Sequence, residues 1–318
     1  MTDDAGRIPG APHSGHPVAP HDIAVIIPAY NAAAFLRDCL DSVLEQTLPA
    51  REIVVIDDGS TDATVNVAAT FGPAVRVVSQ PNAGAAAARN RGGRETTSAW
   101  LAFLDADDLW IGRKLELQST AQLSSQAELV YSDRYNIGEH ALPERQSRLK
   151  VLPEGEIFSA LLLDGNMITT SSVLMSRRAF EELGGFCEDP ALLPAEDYDL
   201  WLRFASERHV ACVSEPLVKY RLHAAGVSRD PQKMNRARLL AVQRASTLRR
   251  FSSLTLRERR LILSQTLATN GWDAARHEMP KVALECYLRA IAAWPFRLSP
   301  FTEILRLMIR SAVHAYRR

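Results

Sequence analysis

Two groups of acidic residues in this chain stand where carboxylates would repel one another. The apolar run Trp100-Leu101-Ala102-Phe103-Leu104 stops abruptly in Asp105, Asp107 and Asp108. A short apolar run bounded by polar residues fits a buried parallel strand, although its periodicity also fits a buried helix. Open α/β sheets place their ligands at the C-terminal edge of such a strand. Carboxylates two residues apart there repel unless a cation lies between them. A hard divalent cation meets that need and can bridge to phosphate oxygens. The competing reading is a solvated acidic turn whose aspartates cap the next helix. A second pair, Glu196-Asp197, precedes the helical pattern Asp199 to Glu207. There the helix dipole and unpaired N–H groups stabilise a carboxylate, and an ordinary acidic N-cap accounts for it equally.

These residues need a scaffold, and the first 110 residues supply a repeating one. Residues 22–31, DIAVIIPAYN, form an apolar strand that stops at Pro28 and turns through Ala29, Tyr30 and Asn31. Phe35, Leu36, Cys39, Leu40, Val43 and Leu44 then recur at helical spacing, in a helix over residues 33–47 that Pro49 ends. Residues 51–62 hold a second strand closing in Asp57-Asp58-Gly59-Ser60, with Ser60 or Asp62 capping the helix that follows. A third strand ends at Gln80, and Asn82 and Gly84 turn the chain into the helix AAAARNRGGRE. Four strand–loop–helix repeats imply a parallel α/β sheet whose ligand rim carries polar or small residues at each edge. There is no G-x-G-x-x-G after the first strand and no G-x-x-x-x-G-K-[ST] anywhere. That argues against a dinucleotide enzyme and a P-loop NTPase.

The succession Pro28-Ala-Tyr-Asn31, Asp57-Asp-Gly-Ser60, Asn82-x-Gly84 with Ala88-Arg-Asn90, and Asp105-Ala-Asp107 resembles the inverting glycosyltransferases of family two, over roughly residues 22–225. The resemblance implies a GT-A fold, a mostly parallel sheet flanked by helices. It implies a nucleotide-diphosphate sugar as donor, UDP being the commonest base, and a divalent cation, Mn²⁺ or Mg²⁺. Residue by residue, Pro28, Ala29 and Tyr30 resemble part of the base and ribose pocket. Asp58, with Asp57 beside it, is similar to the aspartate that contacts the nucleobase. Asn82 and Arg89 belong to the same donor side, Arg89 near the base or diphosphate. Asp105 resembles the ribose-side member of the D-x-D and Asp107 its metal ligand. Asp108 is assigned as the cap of a helix begun by Leu109-Trp110. The segment 168–186 resembles one that lines the acceptor pocket. Asp197 resembles the catalytic base, with Glu196 orienting the acceptor. Tyr220-Arg221-Leu222-His223 resembles a closing motif in which Arg221 neutralises phosphate and His223 reaches the metal or diphosphate. The expected acceptor is a glycan or lipid-linked sugar, as in bacterial surface-polysaccharide assembly, with no nucleic acid as partner. Two alternatives stay open: a nucleotide-sugar-binding module without turnover, and a sugar nucleotidyltransferase. Residues 29–37 contain no glycine, which speaks against the second.

The chain's 318 residues allow one large domain with an appendage. Residues 1–20 read as a disordered leader rather than a secretory signal, and 21–229 as the GT-A catalytic domain. The four cysteines lie far apart and read as buried thiols in a reducing compartment. No stretch has the ~18–20 apolar residues of a membrane span, and a cytoplasmic location is expected. A net charge of zero hides an asymmetry, because residues 231–318 hold 17 Lys and Arg against 5 Asp and Glu. Residues 230–318 read as a basic helical extension. It either covers the acidic part of the chain or docks on anionic lipid at the inner face of a membrane.

Overall fold

The computed structural model describes residues 22–138, 144–145, 152–222, 230–296 and 298–316. Its centre is a sheet ordered β3-β2-β1-β4-β8-β6-β9-β5, with β7 attached to β6. The strands are β1 (Ile23–Ala29), β2 (Glu52–Asp57), β3 (Arg76–Ser79), β4 (Trp100–Phe103), β5 (Leu109–Trp110), β6 (Leu129–Gly138), β7 (Glu144–Arg145), β8 (Leu174–Ser176) and β9 (Ala211–Leu222). The first four run parallel. β8 enters antiparallel between β4 and β6. β6 and β9 form a long parallel pair whose register shifts on either side of Asp133. The sheet is thus mixed but mostly parallel.

β1 is buried along its whole length, as a parallel strand covered on both faces must be. Its side chains alternate between two cores. Ile23, Val25 and Ile27 join Trp100 and Ala102 against Leu36, Cys39, Leu40 and Val43 of α1 (Leu36–Leu44) and Ala68 of α2 (Thr64–Ala69). Ala24 and Ile26 join Leu101 and Phe103 against the opposite layer. That layer is built from α3 (Ala85–Glu95), α5 (Phe158–Asp164), α6 (Arg177–Glu182) and α7 (Glu196–Ala205). α4 (Lys114–Ser125) packs against β6 and β9. Pro28 lies in a central strand, a poor place for a residue without an N–H. It is tolerated because the β1–β4 pairing ends at Ile26 and Phe103, before Pro28 is reached.

The helices after residue 230 are α8 (Pro231–Ala245), α9 (Arg249–Ser252), α10 (Leu256–Arg276), α11 (Pro280–Ala293) and α12 (Ser299–Tyr316). Ala237, Ala241, Val242 and Ala245 of α8, with Phe251 and Ile262, belong to the main core. α11 and α12 pack beyond it, around Ala274, Ala283 and Tyr287.

Two sequence expectations change. Leu109-Trp110 starts no helix; it is a strand paired antiparallel to β9, and the helix begins at Lys114. α1 ends at Leu44, well before Pro49, because tertiary bonds take the chain away. Gln46 donates to the Ile111 carbonyl and accepts from the Leu115 N–H, while the Thr47 N–H donates to Gly112. The stretch 138–155 contains the end of β6 and the short β7; residues 139–143 and 146–151 lie outside the described residues.

One glycine fixes how closely α3 approaches the sheet. A Cβ on Gly92 would stand 2.3 Å from Ile26 Cγ2 in β1. Gly92→Ala is expected to destabilise the protein by about 1–3 kcal/mol through overpacking. It would also displace Arg89 one turn earlier on α3. Denaturant unfolding measures the first effect and the activity of the folded fraction the second.

Candidate active site

The strand ends form a rim stitched by short polar bonds. The Asp58 N–H donates to the Ala29 carbonyl and the Gln80 N–H to the Asp57 carbonyl. Asp57 Oδ1 accepts from the Ser60 N–H at 3.1 Å. Gly59, with φ of +79°, makes this turn; a Cβ there would lie 2.9 Å from the Asn82 nitrogen. Asp58 is buried, and three donors hold its carboxylate: Gln80 Nε2 at 2.8 Å and the N–H groups of Ala83 at 2.9 Å and Gly84 at 2.8 Å. Asp58 therefore shapes the loop that launches α3. Tyr30 stands 53% exposed above the rim, while Ala29 is buried and Asn82 is exposed.

From that loop α3 carries Arg89 into the interior. Its Nη1 donates to Glu196 Oε1 at 2.9 Å and its Nη2 to Asp105 Oδ1 at 2.6 Å. The guanidinium also lies over the Phe186 ring, 5.2 Å from the centroid. Phe186 is itself placed by Asn90, which donates to the Phe186 carbonyl at 2.8 Å and accepts from its N–H at 2.9 Å. Burial opposes the Arg89 charge, but Asp105 and Glu196 more than reverse this and hold the guanidinium above its usual range. One cation thus ties the acid after β4 to the acidic pair opening α7. Arg89 is a buried strut between the two acidic groups.

A second link runs through the 3₁₀ turn Thr170–Ser172. Thr170 Oγ1 donates to Asp197 Oδ2 at 3.2 Å, and Ser171 Oγ donates to Asp108 Oδ2 at 2.6 Å. The Asp105 N–H donates to the same serine at 3.1 Å. Asp108 is buried and also accepts from the Arg221 N–H at 2.9 Å. Burial, then the charges of Asp105 and Asp107, push its carboxyl well above the usual range, with Ser171 and Arg221 pulling the other way. Asp108 caps no helix; it braces the acidic loop against β9. Arg221 completes that brace by donating Nε to the Asp107 carbonyl at 2.9 Å. His223 lies outside the described residues.

Asp197 occupies the first turn of α7, where Asn166 Nδ2 at 3.0 Å and Thr170 hold Oδ2, and the Tyr198 N–H at 2.6 Å holds Oδ1. Its carboxyl is pushed up to about 7, by burial first and then by the Glu196 charge, against the pull of Arg89. Near neutral pH such a group exchanges protons readily, as a general base must. Farther along α7, Asp199 is buried between Arg203 Nε at 2.8 Å and Arg244 Nε at 2.7 Å, the latter reaching in from α8.

Sequence reasoning missed several of these residues. Asn166, Thr170 and Ser171 touch the acids directly; the run of hydroxyls in Ile168-Thr-Thr-Ser-Ser172 was their signal. Arg134 was missed as well. It follows the register shift in β6, lies 3.9 Å from the Tyr220 ring centroid, and donates to Thr169 Oγ1 at 2.7 Å. It interacts electrostatically with both Asp108 and Asp197, and its buried Nε has no hydrogen-bond partner among the described residues. A bulge of this kind re-aims side chains beside active sites.

Among the described residues, no three carboxylate, thiol or imidazole groups gather into a preformed metal cage. A magnesium-type cation does not need one, since one or two carboxylates plus substrate phosphates suffice. Asp107, within the negative field that Asp108 records, fits that requirement.

The mostly parallel sheet covered by helices on both faces is a GT-A class of fold. The profile of the family described as Glycosyl transferase family 2 matches residues 24–184, half of the chain, and the chain belongs to that family. An uncharacterized glycosyltransferase of Rickettsia felis is 32% identical over 213 residues, 64% of this chain but only 34% of the relative. The Escherichia coli protein named UDP-Glc:alpha-D-GlcNAc-diphosphoundecaprenol beta-1,3-glucosyltransferase WfgD is 28% identical over 66% of this chain and 81% of its own. Among solved structures, S. aureus TarS 1-349 in complex with UDP-GlcNAc superposes with a TM-score of 0.63 at 16% identity, covering 85% of this chain and 81% of that one. Mannosyltransferase PcManGT from Pyrobaculum calidifontis, in complex with GDP-Man and Mn²⁺, gives 0.56 at 20% identity over 94% and 83%. At these identities the two structures bear on the fold alone.

Proposed function

We propose that this protein is an inverting glycosyltransferase that moves a sugar from a nucleotide-diphosphate donor, most simply a UDP-sugar, to a hydroxyl of a glycan or lipid-linked acceptor. The observation that carries this reading is Arg89, whose two Nη atoms bind Asp105 and Glu196 and so bring the donor-side acid and the base-bearing helix to one place. The carboxyl of Asp197, poised at about 7 beside that bridge, supports its role as the base.

In this reading Asp197 takes the proton of the acceptor hydroxyl as its oxygen bonds to the anomeric carbon. The bond from that carbon to the diphosphate oxygen breaks, the nucleoside diphosphate departs with the electron pair, and the configuration inverts. Asn166 and Thr170 aim Oδ2 of Asp197, and Glu196 is held by Arg89 beside it. Tyr30 flanks the base and ribose, with Asp57, Asp58 and Asn82 shaping that wall. Arg134 lends positive charge between the donor and acceptor sides. A divalent cation bound at Asp107 would neutralise charge on the leaving diphosphate. The name of the WfgD relative, with a UDP-sugar donor and a diphosphoundecaprenol acceptor, supports this substrate class and a place in surface-polysaccharide assembly.

The test is donor hydrolysis and transfer with Mn²⁺ or Mg²⁺ added to metal-stripped protein. Turnover is expected with cation and is expected to fall at least about 100-fold in Asp107→Ala, a loss within the range for losing one electrostatic stabiliser. Full activity after chelation, or in Asp107→Ala, would remove the metal role. Calorimetric donor binding with no turnover across a donor and acceptor panel would favour a binding module.

A further inference from the structure

Leu256, Phe296 and Leu298 are the most solvent-exposed large apolar side chains among the described residues, at 72%, 80% and 76%. Leu256 is far in sequence from Phe296 and Leu298, but all three lie at one end of the α10–α11 hairpin. α10 begins at Leu256 and α11 ends at Ala293. The Arg257 guanidinium lies 5.7 Å from the Trp294 ring centroid, and Trp294 meets Phe296 edge-on at 5.4 Å. α12 continues the surface. Its Ile304 and Leu307 pack on the Ala274–Tyr287 cluster, while Phe301 and Leu305, one turn apart, remain exposed. These side chains stand largely in solvent, and exposed apolar side chains gathered at one end of a helix pair mark an interaction site.

The surrounding charge says what covers it. Residues 249–260 contain five arginines and one acid, Glu258. That acid is spent in the capping box with Thr255. Arg259 donates to the carbonyls of Leu254 and Ser252, and Arg250 pairs with Glu156, whereas Arg257 and Arg260 are exposed beside the apolar tip. Tryptophan and phenylalanine flanked by arginine are the side chains that settle at the headgroup boundary of a bilayer. A second copy fits poorly, because a two-fold contact through this tip would set arginines against arginines. No described helix is long and apolar enough to cross a membrane, so the contact is one that lies on the surface.

We propose that the tip formed by Leu256, Arg257, Trp294, Phe296, Leu298 and Phe301 docks the protein on an anionic phospholipid bilayer. The proposal does not depend on the donor, metal or base assignments, so its test fails or succeeds separately from theirs. The experiment is flotation of the full chain with vesicles of phosphatidylcholine alone and of phosphatidylcholine mixed with phosphatidylglycerol. Wild-type protein is expected to float with the anionic vesicles, weakly with the neutral ones, and less as salt rises. Phe296→Glu with Leu298→Glu is expected to reduce anionic-vesicle binding by about tenfold or more. Arg257→Glu with Arg260→Glu should remove the preference for phosphatidylglycerol. All four side chains are exposed, so unchanged melting temperatures show that both variants fold. Failure of the wild type to float, or equal flotation of the folded Phe296→Glu, Leu298→Glu variant, overturns the proposal. So does a concentration-dependent dimer in sedimentation that this variant abolishes while vesicle binding is absent.

Discussion

Replacing Asp197 with asparagine is expected to lower the transfer rate by about 10²–10⁴, the usual contribution of a positioned general base, while removing a pH-dependent loss of stability. The two effects share a cause. Burial and the Glu196 charge raise this carboxyl from 3.8 to about 7. A group raised in the fold favours the protonated folded state. Its ionised form is therefore destabilising, with no penalty below pH 4 and the full penalty above pH 7. Asparagine removes that penalty. Measured against pH 4, the gain over the wild type at pH 8 is on the order of 1 kcal/mol once solvent screening is allowed for; a pH-independent cost offsets it, since the asparagine Nδ2 meets a donor, either Asn166 and Thr170 or the Tyr198 N–H. In the wild type, the rate should rise with pH through an ascending limb centred near 7 as Asp197 loses its proton. Melting curves at pH 4 and pH 8, with a kcat–pH profile, check all three statements. An active Asp197→Asn enzyme would remove the assigned role.

Replacing Arg89 with methionine is expected to have the largest effect on stability. Its side chain is 5% exposed and pairs with Glu196, 8% exposed, and with the more open Asp105. Deleting the cation leaves a buried carboxylate uncompensated, which typically costs about 3–5 kcal/mol. Lysine is a poor substitute, because one ammonium does not reproduce two Nη donors set at a fixed angle. Adding Glu196→Gln to Arg89→Met should recover part of the loss by removing the stranded charge, yet it should not restore transfer. Denaturant unfolding of the two single variants and the double variant gives the coupling energy. Purely additive effects would show that the Arg89–Glu196 pair does not act as a unit.

The scaffold of this site was far more legible in the sequence than its wiring. Parallel strands buried on both faces read as apolar runs, so β1, β2 and β4 stood out, as did the acids at their ends. Glu196 and Asp197 were equally visible because a helix start is a local signal. The Arg89 bridge was not, since it exists only because Gly92 lets α3 close on β1 and carry a cation inside. The bonds that hold Asp58 were hidden because two of its three donors are backbone N–H groups, which no residue code displays. Leu109-Trp110 looked helical because its partner strand, β9, is about a hundred residues away along the chain. The β6–β9 pair and Arg134 were hidden for the same reason: side chains at the end of β6 follow no apolar alternation, and a register shift sets their direction.

Arg244 sets a limit on how this polypeptide can be cut and rejoined. It reaches from α8 to Asp199, two residues beyond Asp197 on the same helix. A truncation at residue 229 would strip a guanidinium from an acid in α7 and open the main core where Ala237 and Ala241 sit. The shortened chain would therefore be a damaged catalyst rather than a minimal one. Chimeras that exchange the terminal helices to change where the protein settles should keep α8, α9 and α10 with the sheet, because Phe251 and Ile262 share its core, and place the junction after Arg276.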